Sequence, residues 1–495
     1  MIAGIVSHEK VGTPVAAAVT TSDVASAAPV VPGRTRQPRT FDRSIVDGPM
    51  LPAVWKIAWP TVLQNAIGGL QGIVDHVLVG HFVGYTGNAA IGVSWQIFLV
   101  VIVFISSLFT GMGVLVSRFA GANDAERVNR TVYQAFITAL VLSLAVLAPL
   151  GYVLSPTLLT LVHATPEVRA EALPFLRLMF TGSIGLLMFF MLSGALRAAG
   201  DARTPLRLGV AMTVLNFCLN VVFIRGAGPI PAFGTRGAAM GTVIASLAVS
   251  AVALWMLCAG RLVVHFPRTM SWRPDFTVIR SLFRFGLPAG IQGVAMNIGG
   301  VMLLRFIGSL EYSAQAQAAY AVGYAELFSL ITWTSVGLMG AAAAVAGQNL
   351  GAGKPDRSAH AVHLTARIGL GVAATFGALF LLIPEQLLGI FGLQDPIVVA
   401  LGRELLRYLS ISGLFITVAL AYTGGLQGTG DTRSPLYISL VSQVALPLGI
   451  CFALQQSGTL QASGVWTAIL VGHSTRCLLS FARFQQGKWR HIRVD

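Results

Sequence analysis

Two carboxylates, Asp75 and Glu326, fall inside long apolar runs of this chain. An ionisable side chain in hydrocarbon costs at least about 2.5 to 3.5 kcal/mol on insertion scales, so each needs a compensating role. Asp75 follows Pro60 by fifteen residues, with Gln64 and Gln71 on roughly the same helical face. Asn216 and Asn220, four apart in another apolar run, share one face. Their amide oxygens could help coordinate a cation or accept from a protonated carboxyl. Asp75, Asn216 and Asn220 therefore read as a cation- or proton-binding set. The alternatives are a snorkelling aspartate and asparagines that only join helices. Glu326 reads as an attractor of cationic ligands or a second proton site, or as a buried partner of Arg305 or Tyr320.

The elements that position these groups must be membrane helices. Hydrophobic residues make up 55% of the chain and charged residues 11%, and mean hydropathy is +0.74, far from the roughly 25% charged residues of soluble domains. The runs are long enough to span lipid and lack the alternation of a barrel strand. About twelve spans are expected, over 54–80, 90–117, 131–154, 173–198, 205–224 and 237–259, then 282–307, 316–346, 360–383, 404–427, 435–455 and 464–482. The fold class is all-α and integral to the membrane.

The two sets of six are copies of each other. GALRAAGDARTPL beginning at Gly194 recurs as GGLQGTGDTRSPL at Gly424, an offset of 230 residues. The same offset sets Gly121-Ala122 on Gly351-Ala352 and Gln96 on Glu326. Six spans per copy is even, so the copies run parallel, forming two six-helix bundles related by a pseudo-two-fold along the membrane normal. The neutral repeat mate Gln96 argues that the charge of Glu326 is not needed to build the fold. By loop parity, 26 Lys and Arg lie on the side of the termini and 7 opposite, with Arg476 among the 26. The positive-inside rule places both termini in the cytoplasm of a cell (inner or plasma) membrane. The net charge of +14 is thus a topology signal rather than a nucleic-acid surface.

Residues 1–48 read as a disordered cytoplasmic tail, 49–260 and 282–483 as the bundles, 261–281 as a cytoplasmic linker and 484–495 as a C-terminal tail. The twin loops Gly200, Asp201, Arg203 and Gly430, Asp431, Arg433 read as structural hinges, each aspartate capping the next helix or pairing with the following arginine. Pro60 reads as a hinge in the first span. His76, beside Asp75 but about 100° round the helix, reads as at most a modulator. Trp59, Trp95, Tyr324, Phe328 and Trp333 could line a cavity for flat cations, with lipid-facing or packing roles the commoner outcome. The four cysteines are solitary and read as packing residues, with no metal site.

The paired GALRAAGD and GGLQGTGD loops, VAGQNLGAGK after the eighth span and VDHVLVGHF closing the first closely resemble the multidrug and toxic compound extrusion (MATE) family over residues 50 to about 483. The resemblance implies a V-shaped pair of bundles that alternate access and exchange H+ or Na+ for amphipathic, often cationic, organic compounds. It implies no other cofactor and a monomer in contact with lipid. It also sets Asp75 where the family keeps an essential acid. Some relatives carry aspartate where Asn220 stands, and its absence favours proton coupling. One branch has acids in the seventh and tenth spans, but Met296 and Ile416 occupy the matching neighbourhoods here. The competing readings are a lipid-linked oligosaccharide flippase of the same superfamily, disfavoured for want of an arginine within the bundle, and a polytopic membrane enzyme, which would need clustered acids, histidines or metal ligands.

Overall fold

In the computed structural model, residues 41–162, 164–267 and 270–494 are described, and they are helical almost throughout. Twelve long helices follow in order among them. The first six are α1 Met50–Phe82, α2 Tyr85–Gly121, α3 Ala125–Leu161, α4 Pro166–Ala198, α5 Arg203–Arg225 and α6 Thr235–Cys258. The second six are α7 Phe276–Gly308, α8 Ser313–Gly351, α9 Pro355–Leu382, α10 Pro396–Thr429, α11 Arg433–Gln456 and α12 Ala462–Gln485. Eight of these meet the length and apolarity of a span unaided, and the two pieces of α4, which meet at a 50° bend, make a ninth.

Local chemistry sets the helix ends. Asp124, Asp275 and Asp395 accept backbone amides of the first turns of α3, α7 and α10, supplying acceptors that the helix itself lacks there. Gly200 and Gly430 hold φ of +98° and +103°, a left-handed conformation that ends α4 and α10 and suits glycine. Asp201 then accepts from Thr204 N (3.0 Å) and its hydroxyl (2.6 Å), and Asp431 accepts likewise from Ser434. The capping half of the twin-loop expectation stands. The pairing half is corrected: Arg203 and Arg433 are exposed, and Asp431 pairs with Arg483 of α12 at 2.8 Å. Proximity in sequence had suggested a partner that the helix start turns outward.

Three spans depart from uniform α-helix. α3, α8 and α11 carry π-helical turns at Leu142–Leu147, Ala321–Leu327 and Leu440–Ala445. α4 breaks between Thr181 and Ser183, where a Cβ on Gly182 would run into Val243 of α6. Periodicity along a single run cannot reveal such breaks.

The expected tail and linker are partly ordered. Residues 1–40 lie outside the described residues. Residues 41–48, assigned above to a disordered tail, contain the short helix Ser44–Asp47. Its Ile45 is fully buried between α1 and α8. Lys354, hydrogen-bonded to Asp47 at 2.6 Å, holds that carboxyl below the usual range. Within the expected linker, Leu262 and Val264 are buried, Asn129 and Gln134 of α3 bond to backbone at His265 and Arg273, and α7 already begins at Phe276. Trp489 of the C-terminal segment is buried, and Arg118 donates to the Ile492 carbonyl at 3.0 Å.

The packing places the halves. At the end where α1 starts and α12 finishes, hydrophobic cores are shared: one joins α1 to α8 and α9, another joins α2, α3 and α4 to Leu282 and Phe285 of α7. Toward the opposite end each half has its own core, around Val79, Ile91 and Phe180 in one and around Leu303, Phe328 and Trp466 in the other. The terminal end is therefore a closed seam. Among its close points are repeat mates: a Cβ on Gly121 would overlap the Gln348 carbonyl, and a Cβ on Gly351 the Arg118 carbonyl. Both pairs keep the 230-residue offset. This self-complementary contact is what a two-fold relation between parallel copies produces.

Candidate functional site

Asp75 lies seven residues before the end of α1, Asn220 five before the end of α5, and Thr242 seven after the start of α6. At about 1.5 Å per residue each sits some 8 to 10 Å from its helix end, so antiparallel neighbours bring all three to one depth. The structure joins them. Asn220 Nδ2 donates to Asp75 Oδ1 at 2.7 Å and approaches Asn216 Oδ1 at 3.3 Å, while Asn216 Nδ2 donates to the Thr242 hydroxyl at 3.1 Å. Asp75, Asn216 and Asn220 are exposed by 6%, 1% and 0%, so this polar chain is sealed within the N-terminal half. One turn back, Thr213 donates to Gln71 at 3.0 Å. Asp75 thus has an amide donor but no cation among the ion pairs of the described residues.

Two contributors had no signal in the sequence reading. Thr242 anchors the far end of the chain, and Gly241 makes room for it, since a Cβ there would overlap Asn220 Oδ1. That same oxygen is buried without a hydrogen-bond partner. A threonine and a glycine in an apolar run look like ordinary helix-packing residues. Only the closeness of α5 and α6 gives them a role.

The other expected residues do not join this set. His76 Nδ1 is hydrogen-bonded to Asn88 Oδ1 of α2, not to Asp75. Pro60 lies in an unbroken stretch of α1, where the missing N–H leaves one carbonyl free and a weak point for bending. Glu326 sits in the π-helical turn of α8, half-buried and without an ion pair among the described residues, so neither Arg305 nor Tyr320 is its hydrogen-bonding partner. Its mate Gln96 is exposed on α2. Trp333 packs over Gly69 across the seam, Trp95 lies against Phe98 at 5.8 Å, Tyr324 stacks on Tyr320 at 4.9 Å and Phe328 on His473 at 5.7 Å. Trp59 is half-buried. Cys218 and Cys258 are exposed and so are not core packing residues, whereas Cys451 is buried.

The largest correction concerns Arg476, counted above as a charge on the terminal side. It lies within α12, nine residues from the helix end, and is 3% exposed. The absence of an arginine within the bundle therefore no longer argues against a flippase. Arg476, even with Arg197 lining the cavity between the halves, is still short of the several converging cations that a pyrophosphate requires.

Parallel duplicated six-helix bundles, closed at one end and holding a buried carboxylate and amides between spans, define a membrane transporter. Residues 60–222 and 288–453 match the MatE family. The two matched segments fall in the two halves, and the chain belongs to that family. It is 25% identical over 439 residues to the probable multidrug resistance protein NorM of Thermotoga maritima, covering 88% of this chain and 92% of that one. It is also 25% identical to the multidrug resistance protein MdtK of Pectobacterium atrosepticum, covering 87% and 94%. Among solved structures, the outward-facing conformation of a MATE family multidrug resistance transporter superposes with a TM-score of 0.84 at 20% identity, over 92% of this chain and all of that one.

Proposed function

We propose that this protein is a secondary antiporter that exports amphipathic, mainly cationic organic compounds in exchange for protons, with Asp75 as the coupling carboxylate. The observation that carries the reading is the buried chain Asp75, Asn220, Asn216, Thr242, in which the acid faces an amide rather than a cation. An ionised Asp75 accepts from Asn220 Nδ2. Once protonated it can donate instead to Asn220 Oδ1, the atom now without a partner, provided that the amide turns over. Each state of charge then has its own hydrogen-bond arrangement between α1 and α5, and α1 can bend at Pro60 to follow it. Protonation and substrate release become linked through that packing. A single amide donor suits a proton better than Na+, which needs several converging oxygens.

The distribution of Lys and Arg supports cytoplasmic termini in an inner or plasma membrane, which makes the closed seam the cytoplasmic end and the present state outward-facing. No second chain is needed to complete the polar chain around Asp75, so the working unit is a monomer in lipid. The deciding experiment is counterflow in proteoliposomes with pH and Na+ gradients imposed separately: a pH gradient alone is expected to drive accumulation of a cationic dye. Accumulation that follows only the Na+ gradient overturns proton coupling.

Glu326, on the half-buried π turn of the other half, serves in this reading as a recognition charge for cations. In the same vesicles, Glu326→Gln is expected to weaken a cationic dye about tenfold while a neutral analogue changes less than twofold, the size of one lost charge-assisted contact. Equal losses for both would assign Glu326 to packing.

A further inference from the structure

Arg367 stands twelve residues into α9, about 18 Å from its start, and is exposed. It takes part in no ion pair among the described residues. A guanidinium on a membrane span ordinarily faces a partner or a path. α9 and α12 both pack on α10, and between them lies a cavity of about 390 Å³ lined by His363, Ala366, Arg367, Leu370, Tyr422 and Phe481, among others. Every lining residue comes from α9, α10 or α12, whereas the seam is built by α1, α2, α7 and α8 with α9 and the start of the chain. The groove therefore opens on the outer flank of the C-terminal half, toward lipid, where Leu370 and Phe481 are exposed.

The same place in the other half is filled by protein. The 230-residue offset sets Ala366 on Phe136, Arg367 on Ile137, His363 on Tyr133 and Tyr422 on Leu192. There Phe136 and Tyr133 pack edge-on against Phe266, between α6 and α7, at 6.1 and 5.5 Å. Tyr133 also donates to the Trp272 carbonyl at 2.9 Å, and Leu192 shares a core with Leu262 and Val264. The C-terminal half carries space and a charge where the N-terminal half carries apolar filling. Its polar groups suit a phosphate. His363 Nδ1 and the Tyr422 hydroxyl are hydrogen-bonded at 2.9 Å. With the phenol donating, the imidazole keeps its proton on Nε2, which can donate to a ligand beside Arg367. Side chains lean toward the start of their helix, and α9 starts at the terminal end. Arg367 thus leans toward the headgroup layer on that side, with Leu370 deeper in the hydrocarbon.

We propose that this groove binds one anionic phospholipid from the leaflet at the terminal end, its phosphate meeting Arg367 and His363 and an acyl chain running past Leu370. Basic pockets between membrane helices are a recognised form of lipid headgroup site. The lipid would cover in the C-terminal half the flank that Phe266 and Trp272 cover in the other. The proposal is independent of what the protein transports.

The test is native mass spectrometry of the delipidated full chain in detergent, titrated with phosphatidylglycerol or with zwitterionic phosphatidylcholine of the same acyl chains. The protein is expected to hold one phosphatidylglycerol at least about tenfold more tightly than phosphatidylcholine, as one charge-assisted contact allows. Arg367→Gln should bring that ratio to about 1, Arg367→Lys should keep part of it, and His363→Gln should lower it. Arg207→Gln is the control, since it removes an exposed arginine four residues into α5, near the same end of the other half, and should leave the ratio unchanged. If Arg367→Gln does not fold, His363→Gln decides alone. Excess glycerol 1-phosphate, a head without chains, should not displace the lipid, and displacement would assign the groove to a soluble anion and overturn the proposal. A ratio near 1 in the unaltered protein, a ratio unchanged in the groove variants, or an equal fall in Arg207→Gln overturns it as well.

Discussion

Asp75→Asn is expected to reduce gradient-driven accumulation to nothing while the protein still folds and still binds dye. A pH difference of one unit stores about 1.4 kcal/mol per proton, enough for roughly a tenfold accumulation ratio at one proton per substrate. In the variant that ratio should fall to about 1. Asparagine keeps the shape of the side chain and can still bond to Asn220, but it has no proton to exchange. Stability should hold or rise, because the substitution removes an unpaired charge from a site 6% exposed. The measurement is dye counterflow under an imposed pH gradient, with equilibrium dye binding and thermal unfolding in detergent as controls. Proton-driven accumulation by purified Asp75→Asn protein would remove Asp75 from the mechanism. Lost accumulation together with lost folding would make its role structural.

The second large effect is expected at the seam. Gly351→Val places a branched side chain where even a Cβ overlaps the Arg118 carbonyl, and backbone cannot yield as a flexible side chain does. Overpacking of this kind typically costs about 1 to 3 kcal/mol. The cost falls only on the state in which α2 and α8 touch, so the equilibrium between closed and open terminal ends should shift by roughly ten- to a hundredfold. Spin labels on the α2–α3 and α8–α9 turns should then report a longer distance, and transport should fall because the state closed at the terminal end is depleted. Gly121→Val, across the pseudo-two-fold at the Gln348 carbonyl, should act alike. Gly113→Ala is the control, since nothing lies within 4 Å of its added Cβ. An unchanged label distance in both valine variants would mean that the seam is not the gate.

Much of this was legible in the residues themselves, for a definite reason. Lipid demands runs of about 20 apolar residues and forbids unpaired backbone, so spans can be read one at a time. A repeat at constant offset with an even span count leaves only the parallel arrangement. Helical periodicity put Asn216 and Asn220 on one face. These inferences use distances along one helix or a count of helices. The tertiary structure decided whatever depends on which helix lies against which. It gave Asp431 to Arg483 rather than Arg433, brought Thr242 and Gly241 to Asn220, and ordered residues 41–48 by burying Ile45 beside α8. It also took Arg476 out of the expected terminal-side charge and set it within a bundle. A side chain's face along its own helix is local geometry, but what occupies the space opposite is settled only when other helices, distant in sequence, pack against it.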